Sequence, residues 1–396
     1  MRTRIRKTPW LLVACGILLS GCAKFDDRAA GQTFGPEPAL SAPAGPRPEL
    51  PEIDGSSGNG PAGPAAPRTS VPPPQGCTDF DKAVIATCLD TISALATLPG
   101  DAGFPAGLAA ERRSGRVLQV GGGKATELAK LTVDAGGDGG LTGLALSPTY
   151  PEDQLVFAYI TTAADNRVVR FTKGQQAKPI LTGIPKGPGG NRGAILSDGH
   201  ALLVATGDAG DPAAAADPNS LAGKVLRIDT SGNPAVGNPT PGSRVYASGL
   251  HSPGGLCKST ADPSRLWVTD RAPDRDVLYR VRAAQSLSVP AWTWPDKPGV
   301  AGCVDEDQLL AIATSVAGNV QILPVGPDGS IGGTPKVTLD GKNGTSFGRL
   351  QGMDPIDAQH ALVGTVNRDG GTPVSSDDRV LVIQIQPNAA GGSGKD

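Results

Sequence analysis

Short apolar segments recur along the chain between residues 103 and 386, each bounded by glycine and polar turn residues. In each copy a Gly-led apolar strand is followed by a polar turn, a stronger Val/Leu/Ile strand, a loop and a further strand. Six copies begin near GFPAGLAAE (103), GLTGLALSP (140), GNRGAILSDG (190), GLHSPGGLCK (249), GVAGCVDED (299) and GRLQGMDPI (348). The stronger strands inside them include DQLVFAYITT, HALLVATGD, SRLWVTD, QLLAIATSV and HALVGTVN.

The spacing of these copies, about 40 to 60 residues with about four short strands in each, is typical of β-propeller blades. Blades arranged in a closed ring leave no long sheet edge exposed. We therefore predict an all-β fold, a six-bladed β-propeller over residues 103–386. A β-sandwich or two unrelated β-domains are the alternatives, but two packed sheets do not require so many similar units.

The start of the chain has a different pattern, in which positive charge precedes an apolar run. Four basic side chains in the first seven residues are followed by WLLVACGILL, which is too short to span a bilayer as a stable helix. The run ends in Leu-Ser-Gly-Cys, so residues 1–21 are predicted to be a lipoprotein signal peptide and Cys22 the lipidated first residue. Acyl chains would hold the protein to the extracytoplasmic face of a bacterial cell membrane. An ordinary signal peptide with a chance cysteine is the alternative.

The segments that flank the repeats contain few large apolar side chains. Residues 22–76, with GPEPAL, APAGPRPELP and VPPPQG, are predicted to be a disordered, lipid-anchored tether. Residues 77–102 are predicted to be an N-terminal lead-in that opens with a short helical turn, and residues 387–396 a disordered tail.

Composition supports a turn-rich β protein and excludes one class of partner. The chain has 55 Gly and 37 Pro, which provide the many turns that short strands need. Its formal charge is −2, and loss of the signal peptide removes four positive side chains, so nucleic acid is not an expected partner.

The cysteines predict two disulfides. Of six cysteines, one leaves with the signal peptide and one takes the lipid, so four remain in an oxidising compartment. Loop length favours a pair between Cys77 and Cys88, which leaves Cys257 with Cys303. Metal binding by these thiols is the alternative, but no CxxC or His-rich spacing supports it.

The third to fifth copies carry a resemblance to a known family. GNRGAILSDGHALLVATGDAGDP, GKVLRIDTSGNP, YASGLHSPGGLCKSTADPSRLWVTDRAPDRD and AWTWPDKPG resemble the glucose/sorbosone dehydrogenases, and GLTGLALSPTY resembles the family's GLLGLAFHP strand. The resemblance covers about residues 103–386 and implies a propeller of the soluble quinoprotein glucose dehydrogenase type, with PQQ and calcium as cofactors. The lipobox, the tether and TWPDKPGVAGC also resemble those of mycobacterial lipoproteins.

The chain departs from the family's pattern at its catalytic positions. The family strand that corresponds to GNRGAIL opens with His-Asn-Gly-Gly, and that histidine takes the sugar hydroxyl proton while hydride passes to the quinone. Gly190 stands at this position, and glycine cannot accept a proton. The family's Arg-Asn-Pro turn matches His251-Ser252-Pro253, and its Glu-His-Gly-Pro segment matches Asp270-Arg271-Ala272-Pro273. Asp208 and Trp294 match the family well.

These positions define a candidate central pocket formed by Gly190, Asn191, Asp208, His251 and Trp294. His251 or Asp208 is a candidate substitute for the missing base, although a histidine in a surface turn is the alternative for His251. Trp294, with a second tryptophan two residues before it, is predicted either to stack on a sugar or cofactor or to fill space between blades.

A calcium site is a further candidate. Asp208, Asp211 and Asp217, together with Asn219, are oxygen ligands of the kind that calcium prefers. The alternative is that these residues form ordinary turns, since Gly-Asp and Asp-Pro pairs are common there.

Three functions are compatible with the sequence. The first is a lipid-anchored propeller that has lost the dehydrogenase base and binds a sugar or an envelope protein. The second is an active PQQ- and calcium-dependent sugar or polyol dehydrogenase that uses a substitute base. The third is a structural envelope component that docks other proteins. The substitution at Gly190 favours the first, because removing a general base lowers the rate by about 10²- to 10⁴-fold.

Overall fold

A computed structural model describes residues 71–100, 103–342 and 346–385 of the chain. The predicted signal peptide, the lipidation site Cys22, most of the tether and the C-terminal tail lie outside these residues. Their predictions therefore stay predictions. The described residues form six antiparallel sheets, one of which carries a short parallel strand at its edge.

Three blades are formed by the first half of the described chain. The first blade contains β2 (Ile92–Thr97), β3 (Ala106–Glu111), β4 (Arg116–Gly121) and β5 (Lys124–Lys130). The second contains β6 (Leu141–Leu146), β7 (Val156–Thr161), β8 (Asn166–Phe171) and β9 (Lys178–Ile184), with helix α1 (Tyr150–Asp153) between β6 and β7. The third contains β10 (Gly193–Asp198), β11 (Ala201–Thr206), β12 (Lys224–Ile228), β13 (Val245–Ser248) and the parallel edge strand β17 (Gln285–Ser286), with helix α2 (Pro212–Ala216) after β11.

The remaining blades complete the ring. The fourth contains β14 (Pro253–Lys258), β15 (Leu266–Arg271), β16 (Asp276–Val281) and β18 (Trp292–Trp294). The fifth contains β19 (Val300–Glu306), β20 (Leu309–Thr314), β21 (Val320–Pro324) and β22 (Lys336–Thr338). The sixth contains β23 (Leu350–Pro355), β24 (His360–Thr365), β25 (Val380–Gln384) and, from the start of the described chain, β1 (Val84–Ala86).

The first strand of each blade lies innermost, and these six strands contact one another in a closed cycle. Each of β2, β6, β10, β14, β19 and β23 packs against the inner strands of the blades before and after it. This arrangement confirms the predicted all-β, six-bladed propeller.

The core is divided among the six interfaces between neighbouring blades. Strand β7, with the sequence VFAYIT, illustrates how one strand contributes to two of these interfaces. Val156, Ala158 and Ile160 face the interface with the first blade, whereas Phe157 and Tyr159 face the interface with the third. Because successive side chains point to opposite faces of a strand, a strand between two neighbours is buried on both sides.

The propeller begins earlier in the chain than residue 103, the predicted boundary. Residues 77–102 are not a lead-in with a helical turn, and the propeller does not begin at residue 103, because β1 and β2 both precede it. β1 pairs antiparallel with β25, so the first described strand closes the last blade. β1 is only three residues long, and ISALAT in β2 lacks the Gly-led opening of the other copies.

Both predicted disulfides are present. Cys77 and Cys88 are joined with their Cα atoms 5.4 Å apart, and Cys257 and Cys303 with their Cα atoms 5.6 Å apart. The first lies beside the closing strand β1, and the second joins β14 of the fourth blade to β19 of the fifth. Both disulfides therefore stabilise points at which separate parts of the ring meet.

The centre of the ring is a narrow channel. The space enclosed by the inner strands is about 50 Å³ and is lined largely by glycine, alanine and aliphatic residues. At Gly302 a Cβ would lie 2.6 Å from the backbone nitrogen of Met353, so the inner strands approach too closely for a side chain there. No helix among the described residues has the length and apolar character needed to cross a bilayer.

Candidate functional site

The loops that lead into the inner strands gather polar residues at one mouth of the channel. Gly190 and Asn191 precede β10, His251 precedes β14, and Asp208 follows β11. The Asp208 amide donates to the carbonyl of His251 (2.9 Å), and the Ala209 amide donates to that of Gly190 (3.0 Å). Four of the five residues predicted to form a central pocket are therefore neighbours.

The side chains of Asp208 and His251 form a hydrogen-bonded pair. His251 Nδ1 lies 2.5 Å from Asp208 Oδ2, and the side chains of His251 and Asp208 are 30% and 2% exposed, respectively. An ionised carboxylate can only accept a hydrogen bond, so beside it Nδ1 is the donor and Nε2 is the ring nitrogen left for a ligand. The pair is chemically suited to accept a proton from a hydroxyl group.

Position 190 has no room for a side chain. The φ angle of Gly190 is +67°, and a Cβ there would lie 2.6 Å from Asp208 Oδ1 and 2.9 Å from the Ala209 nitrogen. An L-residue is disfavoured at this backbone angle even without the contacts. The imidazole that the family resemblance places here would displace Asp208 from its contact with His251.

Asp138, which the sequence analysis did not single out, holds two strand entries together. It lies in the loop between β5 and β6 and accepts from the backbone amides of Gly190 and Asn191, each at 3.1 Å. The Ser252 hydroxyl donates to the same carboxylate at 3.2 Å. The only sequence signal for this residue is an acidic side chain before the Gly-Gly that opens the second copy.

Asp270 performs a similar role at the entry to β14. Its carboxylate accepts from the backbone amides of His251 (2.9 Å) and Ser252 (2.7 Å), and the residue is 1% exposed. Burial raises its pKa to about 6, although the two backbone hydrogen bonds oppose the shift. Asp270 therefore positions the backbone that carries His251.

Arg192 reaches across the mouth of the channel. Its Nη2 donates to Oε1 of Gln351 at 3.1 Å, and it is 8% exposed. Nη1 is buried and has no hydrogen-bond partner among the described residues. Burial lowers the pKa of Arg192, and Arg112 and Arg349 add to the shift whereas Asp138 opposes it.

Arg271 is a further buried cation near this mouth. It donates through Nε to the carbonyl of Val300 (2.7 Å) and through Nη2 to Ser315 Oγ (3.0 Å). Burial brings the pKa of its guanidinium well below the ordinary value, and the nearby charge of Arg192 lowers it further. In the sequence, Arg271 stands out only as part of the Asp270–Pro273 segment that matches a family motif.

Trp294 does not belong to this site. It lies in β18, the outermost strand of the fourth blade, and is packed against Cys257, Cys303 and neighbouring aliphatic residues. Its indole nitrogen donates to Gln321 Oε1 at 2.7 Å. The prediction that Trp294 lines the central pocket was wrong, and the alternative role, packing between blades, is the one observed.

The candidate calcium ligands are used in local turns. Asp211 is the N-cap of α2 and accepts from the amides of Ala213 (3.0 Å) and Ala214 (3.3 Å). Asp217 accepts from the Asn219 amide (2.8 Å), and Asp208 is bound to His251. Among the residues that the structure describes, no three His, Cys, Asp or Glu side chains are placed to hold a metal ion. The predicted calcium site on these aspartates is therefore not formed.

The fold and this polar mouth define a six-bladed propeller with a candidate site on the ring axis. The chain belongs to the glucose/sorbosone dehydrogenase family, whose model matches residues 91–296. The match starts beside β2, in agreement with the corrected start of the propeller.

Solved structures agree with this assignment. A PQQ-bound aldose sugar dehydrogenase from Streptomyces coelicolor is 29% identical, with 78% of this chain and 99% of that chain covered and a TM-score of 0.68. An oxidoreductase from Thermus thermophilus, described as a glucose dehydrogenase, is also 29% identical, with coverage of 76% and 98% and a TM-score of 0.67. The aldose sugar dehydrogenase of Escherichia coli, 20% identical over 77% and 98% with a TM-score of 0.63, shares the fold. No curated protein matches the chain.

Proposed function

We propose that this protein is a cell-envelope member of the glucose/sorbosone dehydrogenase family whose central face binds a sugar-related ligand without the family's oxidation. The observation that carries the proposal is the geometry at Gly190. The backbone there has a positive φ, and Asp208 Oδ1 occupies the space that the first side-chain atom would need. An imidazole base at that position is therefore incompatible with the observed Asp208–His251 pair.

The remaining groups at the mouth are suited to binding. His251 presents Nε2, and the buried Nη1 of Arg192 lacks an acceptor within the described residues. The guanidinium groups suit the carboxylates of PQQ, whereas the carboxylates needed for calcium do not converge within the part of the chain that the structure describes. The site thus fits the anionic part of the family's cofactor and does not fit a carboxylate-bound calcium ion.

An active dehydrogenase is the second candidate, and the Asp208–His251 hydrogen bond is the observation that favours it. A bound quinone would supply the hydride acceptor. Asp208 would hold the Nδ1 proton and orient the ring, so that Nε2 of His251 accepts the proton of a substrate hydroxyl. This role requires Nε2 to face the substrate.

One assay distinguishes the two candidates. The full chain, purified in detergent, is given PQQ and calcium and then a panel of aldoses and polyols, while reduction of a dye and binding of each sugar are measured. We expect saturable binding without dye reduction above the protein-free background. Turnover that is lost in His251→Gln but kept in His200→Gln, a matched change at an exposed turn, would establish the dehydrogenase instead. Absence of binding by any sugar would contradict the proposal.

We also propose that the protein is anchored to the extracytoplasmic face of the cell membrane through lipid on Cys22. The charged start, the apolar run and the Leu-Ser-Gly-Cys sequence support the anchor. In cells fed an alkyne-tagged palmitate, the wild-type chain is expected to incorporate the label and sediment with membranes. Cys22→Ala should lose both properties, whereas Cys15→Ala, inside the apolar run, should keep them. Label on Cys22→Ala would contradict the anchor.

A further inference from the structure

The side chain of Arg192 occupies a special position in the ring. It follows the entry to β10 in the third blade, and Gln351, its hydrogen-bond partner, lies on β23 in the sixth blade. The third and sixth blades are opposite each other in a ring of six, so the two side chains meet over the mouth of the channel. Arg192 therefore brings a positive charge close to the ring axis.

The acidic side chains near Arg192 already have other hydrogen-bond or ion-pair partners. Asp138 accepts from the amides of Gly190 and Asn191, and Asp270 accepts from those that lead into β14. Asp369 is paired with Arg112, whose Nη2 lies 2.9 Å from its Oδ2. Within the described residues, none of these carboxylates comes close enough to Arg192 to form an ion pair. The guanidinium group of Arg192 therefore interacts with these carboxylates only over longer distances.

Other guanidinium groups lie close enough to Arg192 to disfavour its charge. Burial lowers the pKa of Arg192, and Arg112 and Arg349 lower it further, whereas Asp138 and Asp369 oppose the shift. Arg271 is also buried and donates to neutral oxygen atoms, including the Val300 carbonyl. Nearby guanidinium groups that disfavour each other's charge are stabilised when an anion binds among them.

Nη1 of Arg192 specifies where such an anion would bind. It is a buried donor without a partner among the described residues, and leaving a buried donor unsatisfied is unfavourable, above all when the group is charged. A charged oxygen acceptor satisfies it better than a neutral hydroxyl does, because hydrogen bonds between charged partners are about twice as strong as neutral ones.

We propose that the ligand of the central face is a sugar acid whose carboxylate binds Nη1 of Arg192 at the mouth of the channel. This inference rests on the proposed function, which makes the ligand sugar-related, and it adds that the ligand is an anion. The carboxylate binds near the ring axis, and the hydroxyl groups lie toward His251 and Ser252, whose side chains hydrogen-bond without a fixed charge.

Calorimetric titration of the full chain in detergent tests this assignment with three probes: gluconate, glucose and acetate. At fixed ionic strength, gluconate is expected to bind at least tenfold more tightly than glucose, because only gluconate carries the charge that complements Arg192. Acetate is expected to bind more weakly than gluconate, because it has no hydroxyl groups. Tight binding of acetate equal to that of gluconate would show a general anion site and overturn the sugar assignment.

Variants locate the binding. Arg192→Gln keeps a hydrogen-bonding amide but removes the charge. It should weaken the binding of gluconate at least tenfold and change the affinity for glucose less than twofold. Arg349→Gln also removes a charge near the site and should weaken the binding of gluconate by a smaller factor. It replaces Arg192→Gln as the test if that variant does not fold. Arg282→Gln, at an exposed residue, is the matched control and should change neither affinity.

The outcomes separate this inference from the proposed function. Binding of glucose without preference for gluconate, or gluconate affinity unchanged in folded Arg192→Gln, would overturn the anion assignment and leave the proposed function intact. Binding of none of the three probes would overturn both.

Discussion

At the scale of single residues, the mouth of the channel is organised by carboxylates that bind backbone amides. Asp138 and Asp270 each accept from two consecutive amides at the entry to an inner strand. Such contacts fix the backbone, and the backbone in turn places Gly190 and His251. The catalytic potential of this mouth therefore depends on residues that do not themselves face a ligand.

Gly190→Ala tests the space at the entry to β10. The new Cβ would meet Asp208 Oδ1 at 2.6 Å, and an alanine at positive φ is itself disfavoured, so a loss of about 1–3 kcal/mol in unfolding free energy is expected. Urea unfolding measures the loss. Gly189→Ala is the matched control, since a Cβ at Gly189 meets nothing within 4 Å and should cost less than about 1 kcal/mol. Equal stability of the two variants would contradict the crowded geometry at position 190.

Asp270→Asn tests the raised pKa of a positioning residue. Burial raises that pKa from 3.8 to about 6, so between these values the folded state binds more protons than the unfolded state. The contribution of Asp270 to stability is therefore greatest below about pH 4 and decreases as the pH rises through about 6. The NH2 group of an asparagine cannot accept one of the two amide hydrogen bonds, so the variant should be less stable than the wild type near pH 4. This deficit should shrink by about 1–3 kcal/mol by pH 7, because only the wild type loses stability as its buried carboxyl ionises.

Unfolding in urea at a series of pH values measures this difference between Asp270→Asn and the wild type. Asp274→Asn, at a side chain that is 71% exposed, should show no comparable trend with pH. A stability difference for Asp270→Asn that stays constant from pH 4 to pH 7 would show that burial does not raise the pKa of this carboxyl.

At the scale of secondary-structure elements, the strands were the part of the molecule that the sequence predicted best. Strands such as β7 and β11 are buried on both faces, so they appear as continuous apolar runs bounded by turn residues. β1 was missed because three residues carry too short a pattern. Trp294 was misplaced because the spacing of two tryptophans shows that they share a strand face but not which strand of the blade they occupy.

The site was predicted only in part, for a related reason. Gly190, Asp208 and His251 stand in segments that resemble family motifs, so sequence alone could select them. The contacts of Asp138 with Ser252, and of Arg192 with Gln351, join residues separated by 114 and 159 positions. Closure of the ring creates these contacts, and nothing local in the sequence specifies them.

The interface between the fourth and fifth blades shows how elements are held together by a buried charge. Asp305, on β19, accepts from Arg265 through two oxygens (2.7 and 2.8 Å) and from the indole nitrogen of Trp267 (2.6 Å). The side chains of Arg265 and Asp305 are 4% and 0% exposed. Removing one partner leaves the other charge buried without compensation.

Asp305→Ala should therefore destabilise the protein by about 3–5 kcal/mol, the usual result of breaking a buried ion pair. The control is Asp307→Asn, because Asp307 also faces Arg265, at 3.8 Å, but is 59% exposed, and asparagine tolerates its positive φ of 57° better than alanine does. An exposed pair contributes at most about 1 kcal/mol, and less in high salt. Chemical unfolding of both variants at low and high salt measures the contrast. Losses of similar size would contradict the buried role of Asp305.

At the scale of the whole molecule, the ring is closed by chain segments that are far apart in sequence. β1 pairs with β25, the Val382 amide donates to the carbonyl of Ala83 (2.8 Å), and the Cys77–Cys88 disulfide lies beside this seam. Each blade depends on both neighbours for its core, since every apolar cluster joins two blades. Opening the seam removes the support of the first and sixth blades together.

Ala83→Asp tests whether the propeller unfolds as one unit when this seam is weakened. Ala83 is fully buried beside Leu381 and Ile383, so a carboxylate there is expected to lower the unfolding free energy by about 3 kcal/mol or more. Because the blades share their cores, urea should still produce one transition, at a lower midpoint and with an unchanged slope. Lys82→Asp is the control: it changes the net charge by more than Ala83→Asp does, but Lys82 is exposed. This variant should shift the midpoint of urea unfolding little. Two separate transitions in Ala83→Asp would show that the sixth blade unfolds independently of the other five.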